Sequence, residues 1–377
     1  MINFYFFIKI LTASDGPGYN RSIMSTPLRI GIIGCGGMAQ SHVRRFDKVK
    51  HRCRIAAAVD IVRERAQAVA DLLDHPAKVA TDYREILDEV DAVLVVLPHD
   101  LHHPVTVDCL NHGKHVLVEK PMANTEAECL EMLEASRRNN RVLMVAYCMR
   151  FDPLVLEMKR HIDEKTFGDL FELSIWTEQY TRYPEGHWAL SAKRLGGGQF
   201  FSHGCHYIDL MLWMLGRPVR GCHLGTNRGT PWMEREGTSH VTIEFENGIV
   251  GYHGATWGAR GTRLGRSFHA HFTGGMLEAN YAEGALIFHS RLSKEVPDQI
   301  GTQHSEVIFT APPGKATDEE MVHFIDCIEN GTRPLTDAIS SIEGLRVIWA
   351  LYEAERENRM ADLRGMGLGT FCGEERR

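Results

Sequence analysis

The sequence has no uninterrupted apolar stretch of the roughly 20 residues that a membrane-spanning helix needs, so no such helix is expected. It has no CxxC pair among its nine cysteines, and nine is an odd number. Several of these cysteines sit inside apolar runs, where a free thiol packs as a small hydrophobe. A disulfide framework is therefore not expected, and a reducing, cytoplasmic setting is. Nor is there an excess of positive charge: 42 Lys and Arg against 49 Asp and Glu leave a formal charge of −7. A mildly acidic chain is a poor electrostatic match for nucleic acid or an anionic membrane surface, and neither is expected as a partner. No internal repeat is visible. Glycine is plentiful at 35 residues, which points to tight turns or to backbone that approaches a ligand closely. The 377 residues exceed one compact core and suit two domains.

The first eleven residues, MINFYFFIKIL, are apolar but are interrupted by Asn3 and Lys9 and lack a basic leader. Residues 1–27 are expected to be a disordered or mis-called extension, with Met24 suited as a start and residues 1–23 dispensable. From Leu28 the chain alternates. Apolar strand-like runs at 28–34, 54–60, 91–98, 114–121 and 141–147 are separated by helical stretches near 37–47, 61–73, 104–112 and 124–139. Such alternation predicts an α/β unit with a doubly wound parallel sheet over 28–150. The period changes afterwards. A helix at 153–163, an alternating run near 168–180, a hairpin around Asn247-Gly248 and further strand-like pieces near 267–289 predict a largely antiparallel open sheet. Helical stretches near 315–330 and 337–357 close this second α+β domain, taken as 151–365, and 366–377 reads as a frayed tail.

Gly34-Cys35-Gly36-Gly37-Met38-Ala39 reads G-x-G-x-x-A between the first strand and the first helix. Asp60 ends the next strand, 60 − 36 = 24 residues after the second glycine. In this context Gly34 allows the tight turn, and Gly36 lets a pyrophosphate approach the backbone at a helix start. Gly37 and Met38 continue that cradle. Asp60 accepts hydrogen bonds from the adenosine ribose, and its charge repels a 2′-phosphate, so NAD is expected over NADP.

Ligands of such sheets bind at the carboxyl ends of the strands. Two ends here are unusual: Leu97-Pro98-His99-Asp100-Leu101-His102-His103 and Glu119-Lys120-Pro121. Lys120 at a strand end is either a solvated cation or a group aimed into the cofactor cleft as a hydrogen-bond donor or acid/base. Adjacent His102 and His103 point to opposite sides of an extended chain. That disfavours a metal site and leaves His102 as a loop histidine against the nicotinamide half of the cofactor. In LGGGQFFSHGCHYIDLMLWMLG, residues 195–216, His203, His206 and Asp209 recur every third residue. Spacing alone leaves three readings open. They are a metal site, perhaps with Cys205; a general acid/base at His206; or buried histidines that orient the helix.

The order of these motifs resembles the glucose–fructose oxidoreductase, inositol 2-dehydrogenase and rhizopine catabolism (Gfo/Idh/MocA) family. The resemblance rests on Gly34–Ala39, Pro98 with His102, Glu119-Lys120-Pro121, Arg150-Phe151-Asp152-Pro153, and Gly196-Gly197-Gly198 followed by His206-Tyr207-Ile208-Asp209, over about 28–360. It implies an N-terminal Rossmann domain and a C-terminal domain whose open sheet makes a homodimer or homotetramer. It also implies NAD(P)-dependent hydride transfer at a hydroxyl carbon of a sugar, inositol or related polyol. Lys120 and His206 match the family's catalytic Lys and His. Leu97, Pro98, His102, Glu119 and Lys120 would border the cofactor, with no metal. Arg150, Ser202 and His203 join the substrate candidates. Tyr180, Arg182, Tyr183, His187, Trp188 and Arg194 either line a sugar site or are surface-loop residues. One departure stands out: many members carry Asp four residues before this His, and here that position is Ser202. Two other chemistries stay in view, a glycosidase that uses held NAD transiently and a non-catalytic NAD-binding protein.

Overall fold

The computed structural model describes residues 27–292, 300–312 and 314–371. The expectations for residues 1–26 and for the last six residues lie outside them. The first sheet has six parallel strands: β1 (Leu28–Ile33), β2 (Cys53–Val59), β3 (Lys78–Ala80), β4 (Ala92–Val95), β5 (His115–Val118) and β6 (Leu143–Val145), in the order β3-β2-β1-β4-β5-β6. Helices α1 (Gly37–Val43), α2 (Arg63–Ala70), α3 (His102–Asn111) and α4 (Glu126–Asn139) make the connections. Both faces are covered, which is why β4 reads as four buried aliphatics in a row. β3 was not anticipated; three residues, two of them only half-buried, leave too little pattern to read. The strand order reverses between β1 and β4, and the crevice opens there.

α5 (Pro153–Asp163) starts where expected. The Asp152 carboxylate accepts from the amides of Leu154 and Val155, and Pro153 occupies the first turn. Then come β7 (Leu170–Glu178), α6 (Ala192–Leu195), α7 (Gln199–Ser202), α8 (Cys205–Leu215), β8 (Pro218–Thr226), β9 (Thr238–Phe245), β10 (Val250–Thr256), β11 (Arg266–Phe272), β12 (Gly275–Asn280), β13 (Ala285–Leu292), β14 (Ile300–Thr310), α9 (Thr317–Asn330), α10 (Ala338–Arg356) and β15 (Ala361–Asp362). The strands form one sheet in the order β14-β13-β12-β11-β7-β10-β9-β8-β15. It is antiparallel except for the β7–β10 pair, so it is a mixed sheet. β9 and β10 are the expected hairpin, with Gly248 at φ +79° in its turn. β8, β14 and β15 were not anticipated.

The last two helices return to the first sheet. Phe324 and Ile325 of α9 share a core with Ile30, Ile32 and Leu94. Lys48 bonds Asp318 at 2.7 Å, and Arg52 bonds Asp326 at 2.7 Å and Glu329 at 2.6 Å. In α10, Arg346 pairs with Glu126 of α4 at 2.6 Å. A single cut at residue 150 therefore does not separate two independent cores.

The stretch from Gly365 to Phe371 is docked rather than frayed. The Glu343 carboxylate accepts from the amides of Gly369 at 2.9 Å and Phe371 at 2.7 Å, and the Phe371 ring is 2% exposed. Phe371→Ala should cost about 3 kcal/mol by analogy with other buried-ring truncations, read as a lowered denaturation midpoint. A loose tail would leave the midpoint unchanged.

Candidate active site

The glycine loop sits at the crevice. Gly34 has φ +92°, and a Cβ there would lie 2.1 Å from the Val96 carbonyl oxygen, so only glycine fits. Gly36 and Gly37 differ: a Cβ on either meets nothing within 4 Å. That open side is the room a dinucleotide's phosphates need. Cys35 is buried, and burial pushes its thiol up to about 12, so it packs rather than reacts. The Asp60 carboxylate accepts from the Cys35 amide and the Val62 amide, each at 2.9 Å. It thereby ties the loop to the end of β2 and keeps lone pairs for a ribose. The loop, its open side and Asp60 together fit NAD. Lys315, from the segment entering α9, reaches over the loop to 3.8 Å from the Met38 sulfur. No sequence signal marked it.

The ends of β4 and β5 face this loop. Leu97 and Pro98 are half-buried beside the crevice. His102 is fully buried beneath it, with Nδ1 2.8 Å from the Pro121 carbonyl and Nε2 2.8 Å from the Leu97 carbonyl. It lies between the two strand-end turns and ties them together. Glu119 is 8% exposed, and its Oε1 lies 2.8 Å from His42 Nε2. Burial alone pushes this carboxyl up. The hydrogen bond with His42 and the charges of His42, Lys120 and Lys315 outweigh burial and hold it down at about 2.

Lys120 donates from Nζ to the Ser202 carbonyl at 3.0 Å, bridging β5 to α7. His206, one turn on in α8, is 8% exposed, and its Nδ1 is buried without a hydrogen-bond partner among the described residues. Burial, then the charge of Lys120, the neighbouring His203 ring and the charge of Lys315, hold it well below its ordinary value. The Ser202 side chain shows no bond to it. His203 is half-buried, its ring 6.2 Å from that of His206. Lys120, Ser202, His203 and His206 are thus brought together.

Arg150 and Asp209 are not in this group. Arg150 donates from Nε and Nη2 to Asp209 at 2.7 and 2.5 Å and from Nη1 to the Leu335 carbonyl at 3.1 Å. Both side chains are almost fully buried, so Arg150 is a structural cation, which corrects its place among the substrate candidates. Asp209 is equally unavailable as a metal ligand or as a partner for His206. No cluster of three or more His, Cys, Asp or Glu side chains suited to a metal occurs among the described residues.

The loop before the glycines folds over the crevice. Trp188 meets the buried His99 ring at 4.8 Å, and His99 Nδ1 bonds the Leu195 carbonyl at 2.9 Å. Tyr183 stacks on His187 at 4.5 Å, and Arg194 pairs with Asp100 at 3.1 Å. Arg182 lies over Trp232 at 5.4 Å. Tyr180 is 51% exposed beside Trp232, at the rim. The three glycines are packing residues. Added Cβ atoms at Gly196, Gly197 and Gly198 would come within 2.3 Å of Asn124, 2.5 Å of Phe201 and 2.2 Å of Glu236.

Residues 28–147 match a family model described as an oxidoreductase family with an NAD-binding Rossmann fold, and 155–278 match the GFO/IDH/MocA C-terminal domain. The chain belongs to the Gfo/Idh/MocA oxidoreductase family. It is 34% identical over 228 residues to inositol 2-dehydrogenase 2 of Saccharopolyspora erythraea, a match spanning 59% of this chain and 65% of that protein. It is 24% identical over 345 residues to the scyllo-inositol 2-dehydrogenase (NAD(+)) of Bacillus subtilis, spanning 86% and 93%. Aldose-aldose oxidoreductase from Caulobacter crescentus, solved with glycerol, superposes with a TM-score of 0.76 at 25% identity, covering 90% of this chain and 100% of that one. A levoglucosan dehydrogenase solved with NADH and levoglucosan superposes at 0.78 with 21% identity, covering 90% and 99%, and shows the shared fold.

Two outcomes follow from the family's site as built here. Gly34→Ala should cost about 2 kcal/mol or more, from backbone strain and overlap with Val96, measured by chemical denaturation. The depressed Glu119 carboxyl contributes stability that is whole above its ordinary 4.5 and is lost as pH falls towards about 2. The difference in unfolding free energy between wild type and Glu119→Gln should shrink between pH 5 and pH 3, by an amount on the order of 2–3 kcal/mol. A difference that stays constant would show the carboxylate to be uncoupled from His42.

Proposed function

We propose that this protein is an NAD-dependent dehydrogenase that oxidises a hydroxyl carbon of a sugar, inositol or related polyol, or runs the reverse reduction. The observation that carries this reading is Lys120 donating to the Ser202 carbonyl beside a neutral His206, in a chain whose Gly36 and Gly37 keep an open side. The relatives named for inositol oxidation support the substrate class.

Gly36–Met38 would receive the pyrophosphate and Asp60 the ribose. A bound nicotinamide supplies the hydride acceptor. His206 presents Nε2 to the cleft, because Nδ1 is buried, and takes the hydroxyl proton. Lys120 leaves the Ser202 carbonyl for the substrate oxygen and stabilises the developing negative charge. Burial and the nearby cations keep His206 unprotonated and ready to act as a base. Glu119, ionised beneath Lys120, holds the strand end to His42. Trp188 and Tyr183 offer faces to sugar C–H groups, and Tyr180 lies farther out at the rim. The outward face of the second sheet, with Trp176, Tyr252, His240 and Leu224, is our candidate for contact with a second copy of the chain. A monomeric mass in solution overturns that part.

A panel of inositols, hexoses and anhydrosugars followed by NADH absorbance tests the activity. Turnover of none, with NADH bound, would leave a non-catalytic binding protein; cleavage of glycosides without net NADH would indicate transient redox chemistry. His206→Ala should lower kcat by roughly 10²–10⁴ with NAD affinity nearly unchanged, and Lys120→Met should do likewise. The acid limb of the rate profile should lie below the ordinary histidine value of about 6.5, and Ser202→Asp should move it upward. An unmoved limb would shift the base to Lys120. Asp60→Ala should relax the preference for NAD over NADP; equal wild-type efficiency with both would refute Asp60 as the discriminator.

A further inference from the structure

The ring of His203 is held by a group whose orientation is itself fixed. Gln199 is fully buried, at the start of α7, and its Oε1 accepts from the Ser239 hydroxyl at 2.6 Å. Ser239 is also fully buried, on β9. The remaining end of the Gln199 amide, Nε2, lies 3.3 Å from His203 Nδ1. An amide nitrogen can only donate, so Nδ1 accepts. The ring is neutral. Burial disfavours its charged form, and the charges of Lys120, Arg266 and Lys315 and the ring of His253 add to that effect. A neutral imidazole carries one N–H, and with Nδ1 accepting, that proton sits on Nε2. Among the described residues Nε2 has one hydrogen-bond contact, the Tyr207 hydroxyl at 3.5 Å, at the long limit of a hydrogen bond, so this N–H is not strongly engaged.

We propose that Ser239 and Gln199 fix His203 as the Nε2–H tautomer, and that this N–H donates to an oxygen of the polyol beside the carbon being oxidised. The assignment rests on the dehydrogenase reading above and adds a division of labour. Lys120 and His203 are donors to substrate oxygens, whereas His206 alone accepts. Gln199 and Ser239 are positioning residues that act through His203. A substrate oxygen at this spot is read as an acceptor, so a deoxy analogue should bind poorly.

Selective ¹⁵N-histidine NMR of the full-length protein with NADH bound reads the tautomer directly, with the His203 signal assigned by its loss in His203→Asn. Wild type should show a protonated Nε2 and a bare Nδ1 between about pH 6 and pH 8. Gln199→Glu sets an acceptor against Nδ1 and should draw the proton there. With myo-inositol and glucose as probes, the same variant should raise KM about tenfold or more while NADH affinity stays unchanged, as expected for one lost hydrogen bond. Ser239→Ala frees the amide to turn and should give a smaller change in the same direction, which Ser239→Thr restores. Near-wild-type NADH binding shows that each variant is folded. A wild-type Nδ1–H signal overturns the tautomer. A moved proton with unchanged KM overturns the substrate role while leaving the dehydrogenase reading intact. Absence of turnover on every polyol removes that reading and the substrate role with it, while the NMR still decides the tautomer.

Discussion

The buried ion pair between Arg150 and Asp209 governs the geometry of everything above it. Arg150 lies just after the last strand of the parallel sheet, and Asp209 lies in α8, less than one turn beyond His206. The two-pronged contact fixes both distance and angle, and the third guanidinium bond reaches the Leu335 carbonyl between α9 and α10. One side chain thus joins the first sheet, the helix bearing His206 and the returning C-terminal helices. Burying two charges is expensive, and a well-packed apolar pair often does as well for stability. What an apolar pair lacks is direction. Here the pair's consequence is positional: it sets where His206 stands relative to the end of β5.

The charges near the crevice form a second constraint. Glu119 stays ionised because His42, Lys120 and Lys315 surround it. The same lysines, with burial, keep His203 and His206 uncharged. Glu320, deep in α9 with both carboxylate oxygens unpartnered among the described residues, is pushed the other way: burial and the Glu119 charge raise it well above the usual carboxylate range. Two carboxyls near one another are thus held in opposite protonation states. A neutral acid avoids adding a second negative charge beside Glu119, so Lys120 and Lys315 face one carboxylate rather than two. That balance favours an anionic ligand and a developing alkoxide.

Local chemistry made much of this legible in advance. The G-x-G-x-x-A run, Asp60 and the strand-end Lys120 announce themselves because a tight turn, an open backbone and a strand terminus each demand particular residues. The hairpin at Asn247-Gly248 did so for the same reason. Long-range pairing did not. β3 and β15 are too short to carry a pattern, and β14 sits at the sheet edge with most of its residues exposed. The return of α9 to the first sheet buries Phe324 and Ile325 against Ile30, Ile32 and Leu94, with Lys48 and Arg52 meeting acids more than 250 positions away at the edge of that contact. Gln199 and Ser239 lie 40 positions apart and only become partners when β9 passes beneath α7.

The spacing of His203, His206 and Asp209 leaves several readings open, and the structure separates the three residues. An unbroken helix would put all three on nearly one face. The chain instead ends α7 at Ser202 and restarts α8 at Cys205. Gly204 lies at the break, where a Cβ would fall 2.4 Å from the Phe200 carbonyl oxygen. His203 keeps the contacts of helical spacing, to Gln199 four residues before it and Tyr207 four residues after, while in the unbroken α8 the three-residue offset leaves His206 beside Lys120 and turns Asp209 into the core against Arg150. Three residues that share a period therefore occupy three environments. The Gly196-Gly197-Gly198 run makes this possible by letting Asn124, Phe201 and Glu236 close in on the backbone, with the Tyr352 hydroxyl accepting from the Gly198 and Phe201 amides. What looks in the sequence like a flexible glycine loop is a tightly packed mount that sets the direction of α7, and through Gln199 the orientation of a single imidazole.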